Sequence, residues 1–314
     1  MTTLPVTPLD IEAAAARLVG HVRETPIMHV PGREVGVPGQ LTWKLEQLQH
    51  SGSFKARGAF NRILTARVGS AGVIAASGGN HGAAVAYAAR ALGYTAEIFV
   101  PEISNPVKIE RLRAYGARVH VTGQSYAEAL AASEERAAAT GALVVHAYDQ
   151  PEVIAGQGTA GRELERQAPG LDTVLVAVGG GGFIAGIAAW YAGRVRVVAV
   201  EPHACDALSA ARRAGEPVDV SVSGVAADSL GARRIGRLAF DIARAYVHGA
   251  VLVDDDAIRQ AQRVAWDAAR LILEPGGATA LAALLSGAYT PAAGERVGVL
   301  LCGGNTSPAT VTSV

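Results

Sequence analysis

The chain has 314 residues, of which 50% are hydrophobic and 18% are charged, as in a compact globular protein of one large or two ordinary domains. Its 28 basic and 28 acidic residues give a formal net charge of zero, so bulk electrostatics favour neither nucleic acid nor an anionic membrane as a partner. The two cysteines, Cys205 and Cys302, exclude a disulfide framework and a cysteine-cluster metal site.

The N-terminal segment 1–8 shows no basic stretch followed by an apolar core, and no apolar run approaches the length of a bilayer span. Neither a targeting signal nor a membrane span is therefore predicted. From these two features of the sequence, we expect a protein that works in the cytoplasm.

The first feature with chemical meaning is the turn Ser51-Gly52-Ser53-Phe54-Lys55, which follows a predicted strand over 41–46 and opens a helix. A lysine at this position can be partly buried, and burial lowers the pKa of an amine. The neutral amine is the form that makes a Schiff base with a carbonyl cofactor. The same position also suits an ordinary surface lysine, so Lys55 alone does not decide between these interpretations.

From 71 to 149, short apolar strands alternate with glycine-rich turns and alanine-rich helices, which predicts βαβ units and a parallel sheet. We expect strands over 71–76, 97–100 and 118–121 and helices over 83–92 and 106–115. The turn Ser77-Gly78-Gly79-Asn80-His81-Gly82 joins the first strand to its helix. Helix-start amides in such a turn can hold a carboxylate while Asn80 bonds a ring oxygen; helix capping by Ser77 or Asn80 is the alternative.

The alternation resumes after 149 with the stretch Ala155-Gly156-Gln157-Gly158-Thr159, followed by a helix that ends near 167. Further strands are predicted over 173–178, 195–200, 250–253 and 296–302, and helices over 254–273 and 278–285. We therefore predict an α/β fold of two three-layer domains with mostly parallel sheets. The small α/β domain comprises residues 66–149, and the large domain comprises 1–65 together with 150–314.

Four consecutive glycines, Gly179 to Gly182, lie between a buried strand and a helix. Bare backbone amides and the helix dipole make such a loop an anion site, usually for a phosphate, although close packing of strand and helix is the alternative. Gly180, Gly182 and Gly186, with Glu201 at the end of the next strand, also suggest a nicotinamide-dependent oxidoreductase. Their spacing is not G-x-G-x-x-G, and that interpretation gives Lys55 no role.

Two further glycine-rich loops follow, Glu274 to Ala278 and Cys302 to Asn305, and each carries a polar side chain at its turn. Loops at the carboxyl ends of parallel strands converge on the binding crevice of the sheet. We therefore expect both loops to lie beside Lys55, the Ser77 turn and the Gly179 loop.

Together these motifs resemble those of fold-type II pyridoxal phosphate enzymes, which share the fold of the tryptophan synthase β subunit, and they are closest to the serine/threonine dehydratases and the related serine racemase. The resemblance extends over nearly the full length and implies pyridoxal 5'-phosphate as cofactor. The family motif S-G-S-F-K-x-R-G-A reads without a break over 51–59. It implies that Lys55 forms the Schiff base and acts as base, with Phe54 beside the cofactor ring.

The resemblance also implies the other site residues. Asn80 of the S-x-G-N-H loop would bond the cofactor's phenolic oxygen, and the large domain would bind the cofactor phosphate through Gly179, Gly180, Gly181 and Gly182. Glu274, in the E-P-x-x-A stretch, and Cys302 would complete the cofactor site. The substrate carboxylate would be held by the loop comprising Ser77, Gly78, Gly79, Asn80 and His81.

This sequence departs from the family pattern at several positions. Cys302 replaces the serine that faces the pyridine nitrogen; a neutral thiol leaves that nitrogen largely unprotonated, whereas a thiolate would stabilise a pyridinium. Gly78 replaces the second serine of the racemase loop S-S-G-N-H, which favours elimination over racemisation.

Glu201 opens the family's divalent-cation region, but Ala207 stands where a second carboxylate is expected, so Glu201 is kept only as a candidate ligand. Ser229 follows Asp228 where the family usually has glycine, which leaves substrate choice open.

The resemblance implies an ammonia-lyase that converts L-threonine, L-serine or both to a 2-oxo acid and ammonia. Alternatives that remain open are a dehydratase of another 3-hydroxy amino acid such as 3-hydroxyaspartate, a serine racemase, a cysteine synthase-like β-replacement enzyme and a non-catalytic amino-acid binder. A nicotinamide-dependent oxidoreductase is the most distant alternative. The expected partners are a small amino-acid substrate and a second copy of the chain in a homodimer, without nucleic acid or membrane.

Overall fold

A computed structural model of the chain describes residues 4–312. Within them the strands are β1 Ile27–Pro31, β2 Gln40–Leu45, β3 Val73–Ala76, β4 Ala96–Val100, β5 Arg118–Val121, β6 Leu143–Val144, β7 Thr173–Ala177, β8 Arg196–Pro202, β9 Val247–Val253 and β10 Arg296–Leu301. The helices are α1 Pro8–Arg17, α2 Lys55–Leu64, α3 Asn80–Ala91, α4 Pro106–Ala114, α5 Tyr126–Thr140, α6 Pro151–Gln167, α7 Gly182–Tyr191, α8 Ala207–Ala214, α9 Ala227–Leu230, α10 Arg237–Tyr246, α11 Asp255–Ala269, α12 Pro275–Leu285 and α13 Ala309–Thr312.

The strands form two sheets, which confirms the predicted α/β class with mostly parallel pairing. The larger sheet has the order β1-β2-β10-β7-β8-β9, and the smaller has the order β5-β4-β3-β6. All neighbouring strands in both sheets run parallel except the pair β1 and β2. The central strand β7 is buried along its whole length, as its continuous apolar sequence indicates for a strand covered on both faces.

Alternate residues of the small sheet pack into two separate apolar clusters. Val73 and Ala75 of β3 join a cluster with residues of α2 and α3, whereas Ile74 and Ala76 join a cluster with residues of α5. Because successive side chains of a strand point to opposite faces, the small sheet is covered by helices on both sides. The division into domains at 65/66 and 149/150 stays a prediction, and its terminal residues 1–3 and 313–314 lie outside the described part of the chain.

Some predicted boundaries differ from the structure. The stretch 155–159, which we placed ahead of a helix, lies inside α6, where Gly156 and Gly158 allow neighbouring helices to approach. A Cβ on Gly156 would lie 2.6 Å from the carbonyl oxygen of Arg57 in α2. The helix predicted over 254–273 ends at Ala269 because Arg270 has a left-handed backbone with φ of 55°. Across residues 4–312, no helix combines the length and apolar character needed to cross a bilayer.

Candidate active site

One pocket lies where the loops after several parallel strands meet, and it brings together most of the predicted site residues. Its lining includes Phe54, Lys55, Asn80, the loop Gly179–Gly182, Glu274 and Cys302. Apart from Glu274, which is the N-cap residue of α12 after helix α11, these residues follow β2, β3, β7 and β10 or begin the helices after them. The convergence of loops that the sequence predicted therefore occurs at the carboxyl ends of strands from both sheets.

Lys55 is the first residue of α2, and among the chain's three lysines it is the one that lines this pocket. Its Nζ donates a hydrogen bond to the carbonyl oxygen of Ala147 at 2.7 Å. Burial lowers the pKa of Lys55 to about 8, against the opposing attraction of Cys302 and Glu274. At pH 7 about a tenth of this amine is therefore in the neutral form that nucleophilic attack on a carbonyl requires.

The loop Gly179–Gly182 presents backbone rather than side chains to the pocket. Helix α7 begins at Gly182 without a side-chain cap, and Gly181 has a φ of 90°, which favours glycine. A Cβ on Gly180 would lie 2.2 Å from the ring of Tyr148, and one on Gly182 would lie 2.5 Å from the carbonyl oxygen of Tyr148. The loop thus offers uncapped helix-start amides in a space that side chains cannot enter, which suits a phosphate.

Asn80, Glu274 and Cys302 are polar residues of the pocket lining. Asn80 donates from Nδ2 to Oε1 of Glu274 at 2.5 Å, and burial raises the pKa of Glu274 to about 7. Cys302 is buried and donates from Sγ to the carbonyl oxygen of Gly276 at 3.3 Å. Burial raises the pKa of Cys302 far above its usual range, which favours the neutral thiol over the thiolate.

The rest of the Ser77 turn lies outside the residues that line the pocket. Ser77 accepts on Oγ from the amide of Gly79 at 3.2 Å, so its hydroxyl organises the turn. His81 is buried with Nε2 2.8 Å from the carbonyl oxygen of Val145, and burial, with the charge of Lys55, lowers its pKa to about 3. His81 is therefore a neutral imidazole, and its role in substrate binding stays a prediction.

Glu201 lies away from this pocket, at the end of β8, and its carboxylate binds the start of α8. It accepts from the amide of Leu208 at 2.7 Å and from the amide and hydroxyl of Ser209 at 2.9 and 2.6 Å. Burial raises its pKa to about 7. Over residues 4–312, no three His, Cys, Asp or Glu side chains form a group that could hold a metal ion.

Tyr148 is a pocket residue that the sequence did not reveal. It follows the small sheet and packs its ring over Gly180, while its hydroxyl lies 3.4 Å from the carbonyl oxygen of Arg234. A second cavity of about 420 Å³ lies beside Tyr148, and most of its lining is polar or charged, including Asp149, Glu216, Arg234 and Arg237. The sequence around Tyr148 does not indicate that its ring lines the pocket. The contact between Tyr148 and Gly180 joins segments that are distant in the chain, so no local pattern reveals it.

These pocket residues meet the needs of one cofactor. A lysine with a lowered pKa, a glycine loop at a helix start, an amide donor and a neutral thiol suit the aldehyde, phosphate, phenolic oxygen and ring nitrogen of pyridoxal phosphate. The apolar ring of Phe54 stacks on Phe183 with centroids 3.9 Å apart, and both rings line the pocket. The chain matches the family described as pyridoxal-phosphate dependent enzymes over residues 18–303 and belongs to that family.

Relatives place the chain more narrowly. The phenylserine dehydratase of Ralstonia pickettii is 39% identical over 99% of this chain and 98% of its own length. The L-threonine ammonia-lyase of Geobacter sulfurreducens is 38% identical over 97% of this chain and 77% of its own. The structure of maize serine racemase superposes with a TM-score of 0.91 at 32% identity, covering 98% of this chain and 96% of that one. The protein is thus an enzyme of the pyridoxal phosphate-dependent threonine/serine-type dehydratase family.

Proposed function

We propose that the enzyme eliminates water from L-threonine, L-serine or both, and that the product hydrolyses to a 2-oxo acid and ammonia. The observation that carries this proposal is Lys55, whose amine has a pKa of about 8 and lies on the same pocket as the glycine loop. Bound pyridoxal phosphate supplies an electron sink that makes the substrate's α-proton acidic and allows loss of the β-hydroxyl. A neutral Lys55 amine then serves as the base that removes that proton.

The other pocket residues bind and orient rather than transfer protons. The amides of Gly179–Gly182 would hold the phosphate, and Asn80 would donate to the phenolic oxygen. The neutral thiol of Cys302, whose one hydrogen is directed to the carbonyl oxygen of Gly276, would interact only weakly with the ring nitrogen and would not protonate it. By leaving the ring nitrogen unprotonated, Cys302 would weaken the electron sink and so favour elimination of the β-hydroxyl.

Racemisation is the alternative that Gly78 disfavours, because no hydroxyl stands at that position to return a proton from the opposite side. The nearest atom to a Cβ built on Gly78 is Oγ of Ser104 at 3.4 Å, an ordinary contact. A Cβ atom would therefore fit at this position. Packing therefore does not exclude a side chain at position 78. Without a hydroxyl there, the chain lacks the group that would return the proton in racemisation, which supports elimination as the main reaction.

A second candidate substrate is a 3-hydroxy amino acid with an aryl group, such as the phenylserine of the Ralstonia pickettii relative's name. The pocket wall includes Tyr148, Phe183 and Leu230, which offer apolar and aromatic surface to such a group. For 3-hydroxyaspartate, the pocket lining of the described chain offers Lys55 as its sole cationic side chain, and the neighbouring cavity adds Arg234 and Arg237 as partners for a second substrate carboxylate.

The test is a steady-state comparison of 2-oxo acid release from L-threonine, L-serine, threo-3-phenylserine and 3-hydroxyaspartate. The proposal predicts that threonine or serine gives the highest kcat/KM. A higher kcat/KM for phenylserine would replace the first candidate with the second. Formation of D-serine without 2-oxo acid, of cysteine from O-acetylserine and sulfide, or of reduced nicotinamide would contradict dehydration. Absence of all turnover would indicate a binder.

We further propose that the enzyme is a homodimer of the cytoplasm, a statement that rests on its resemblance to the dehydratases. Light scattering on the purified holoenzyme tests the first part, since a dimer has twice the 32.1 kDa mass of the chain. Fractionation of the source cells tests the second part.

A further inference from the structure

Asn305, in the loop after β10, connects the turn before Lys55 to the cofactor pocket. Its Nδ2 donates to the carbonyl oxygen of Ser51 at 2.8 Å and to Oδ1 of Asn80 at 2.6 Å. Asn80 in turn donates from Nδ2 to Glu274 at 2.5 Å. A continuous chain of hydrogen bonds thus runs from the main chain at Ser51 through two amide side chains to the pocket.

The carbonyl oxygen of Ser51 determines the donor and acceptor at each step of this series of hydrogen bonds. A backbone carbonyl oxygen can only accept, so the Asn305 atom that faces Ser51 must be the NH2 group. The second hydrogen of that NH2 group points to Asn80, so the facing atom of Asn80 must be its carbonyl oxygen. The NH2 group of Asn80 is therefore directed away from Asn305 and towards Glu274, which lines the pocket.

Local backbone geometry fixes the anchor of the chain. Ser51 has a φ of 59° and a ψ of 10°, the left-handed region that few residues other than glycine adopt. Gly52 follows with a φ of 80°, and a Cβ there would lie 2.4 Å from Oδ1 of Asn305. The amide of Gly304 donates to the carbonyl oxygen of Gly52 at 3.0 Å, and Ser53 pairs with Gly303. The turn that carries Lys55 is thus tied to the loop that carries Asn305.

We propose that Asn305 is a positioning residue that holds Asn80 with its NH2 group towards the cofactor. One hydrogen of that group is bonded to Glu274, and the other has no partner in residues 4–312, so it is available to an acceptor in the pocket. The phenolic oxygen of pyridoxal phosphate is such an acceptor. This inference rests on the proposed role of Asn80 as a cofactor ligand and does not require any particular substrate.

The consequence is an effect on the ionisation of the bound cofactor. A donated hydrogen bond stabilises the charged form of the oxygen that accepts it. With Asn80 correctly oriented, the phenolic oxygen therefore stays ionised to lower pH. If the Asn80 amide is turned over, its carbonyl oxygen faces the phenolic oxygen and repels that charge, so the visible absorbance of the bound cofactor titrates at higher pH.

The test is Asn305→Asp, which replaces one NH2 group by an oxygen that cannot donate to Ser51 or Asn80. We expect the cofactor to bind about tenfold more weakly or worse in a fluorescence titration, and its absorbance to titrate at higher pH than in the wild type. Thr306→Ala is the matched control, because the Thr306 hydroxyl contacts that of Thr310 at 3.0 Å, outside the chain of hydrogen bonds. The control should match the wild type in both measurements.

A double-mutant cycle separates positioning from general loss of structure. Asn80→Ala should reproduce the spectral change, and adding Asn305→Asp to it should change the titration little further, because the two residues act through one contact. If Asn305→Asp does not fold, Asn305→Ala is measured in the same way. An unchanged absorbance titration in either folded variant overturns the proposal. A wild-type enzyme without dehydratase activity would overturn the proposed function alone.

Discussion

Two lysines lie on either side of the same connection, Lys44 in β2 and Lys55 at the start of α2, and their surroundings differ. Lys44 is fully buried, and its Nζ donates to Thr25 O at 2.7 Å, Gln167 Oε1 at 2.7 Å and Glu163 Oε1 at 2.5 Å. Lys55 donates to one acceptor, the carbonyl oxygen of Ala147 at 2.7 Å. All three ammonium hydrogens of Lys44 are satisfied, whereas Lys55 keeps bonding capacity for the pocket.

The comparison shows that burial alone does not make a lysine reactive. Burial lowers the pKa of both amines, but Glu46 and Glu163 counteract it at Lys44 with charge, and Glu163 also with a direct hydrogen bond. Those carboxylates are in turn shared with Arg57, which donates to both. Lys44 therefore belongs to a buried ion-pair network that holds β2, α2 and α6 together. Lys55 has no direct ion pair, and its pKa is lowered to about 8.

The largest expected effect is that of Lys55→Ala on turnover. Loss of the amine that removes the α-proton should lower kcat by at least about 10³-fold, because a positioned base contributes that much. The glycine loop should still bind pyridoxal phosphate, now without a covalent bond. The comparison uses initial rates of 2-oxo acid release, with Lys108→Ala as control, since Lys108 is ion-paired with Asp228. A Lys55→Ala enzyme with wild-type rates would show that the base lies elsewhere.

The next effect is that of Lys44→Met on stability. Removing this cation leaves part of the charge of Glu163 buried and uncompensated, so the free energy of unfolding should fall by about 3 kcal/mol. Urea denaturation of the apoprotein measures it. At a temperature where both proteins are folded, the variant should keep most of its turnover per molecule. Loss of turnover with unchanged stability would mean that the two lysines have been assigned to the wrong roles.

A smaller effect is expected for Gly180→Ala in the phosphate loop. The new methyl group would meet the ring of Tyr148 at 2.2 Å, and relieving that overlap should weaken cofactor binding about tenfold. Gly249→Ala is a matched control, because its Cβ would meet no atom within 4 Å. Equilibrium dialysis gives both dissociation constants. Should the two variants bind the cofactor equally well, the loop would not be the phosphate site.

The smallest effect concerns the pH dependence of cofactor attachment. Since only the neutral amine attacks the cofactor aldehyde, the attachment rate should rise with pH as Lys55 loses its proton and should level off above its pKa of about 8. The rate at pH 7 should be about fivefold below that at pH 8. Stopped-flow absorbance of the apoenzyme mixed with pyridoxal phosphate measures it. A rate that keeps rising beyond pH 9 would indicate an amine like that of an exposed lysine.

The features that could be predicted from the sequence are those written in short, contiguous stretches. Turns of small residues after predicted strands contain or precede the main site residues, which are Lys55, Asn80 and Gly179–Gly182. Parallel strands bring the turns at their carboxyl ends to the same edge of a sheet. Strand β5 was predicted with the observed bounds, because β-branched residues and flanking glycines mark it.

The features that could not be predicted depend on contacts between distant segments. The network around Lys44 joins side chains from β2, α2 and α6, and no stretch of sequence shows that Glu163 faces Lys44. The contact between Tyr148 and Gly180 also joins residues that are distant in the sequence. The glycines at 156 and 158 have turn-like sequence but lie in a helix, because close packing of α6 against α2 and α7 overrides their low helix propensity.

Reduction of the holoenzyme with borohydride, followed by peptide mapping, tests the contrast between the lysines most directly. Borohydride converts the bond between cofactor and amine into a stable phosphopyridoxyl group on the lysine that carried it. The chain has only three lysines, so the label can be assigned without ambiguity. We predict a label on Lys55 and none on Lys44 or Lys108. A label on either of those two, or an unlabelled Lys55, would contradict the account.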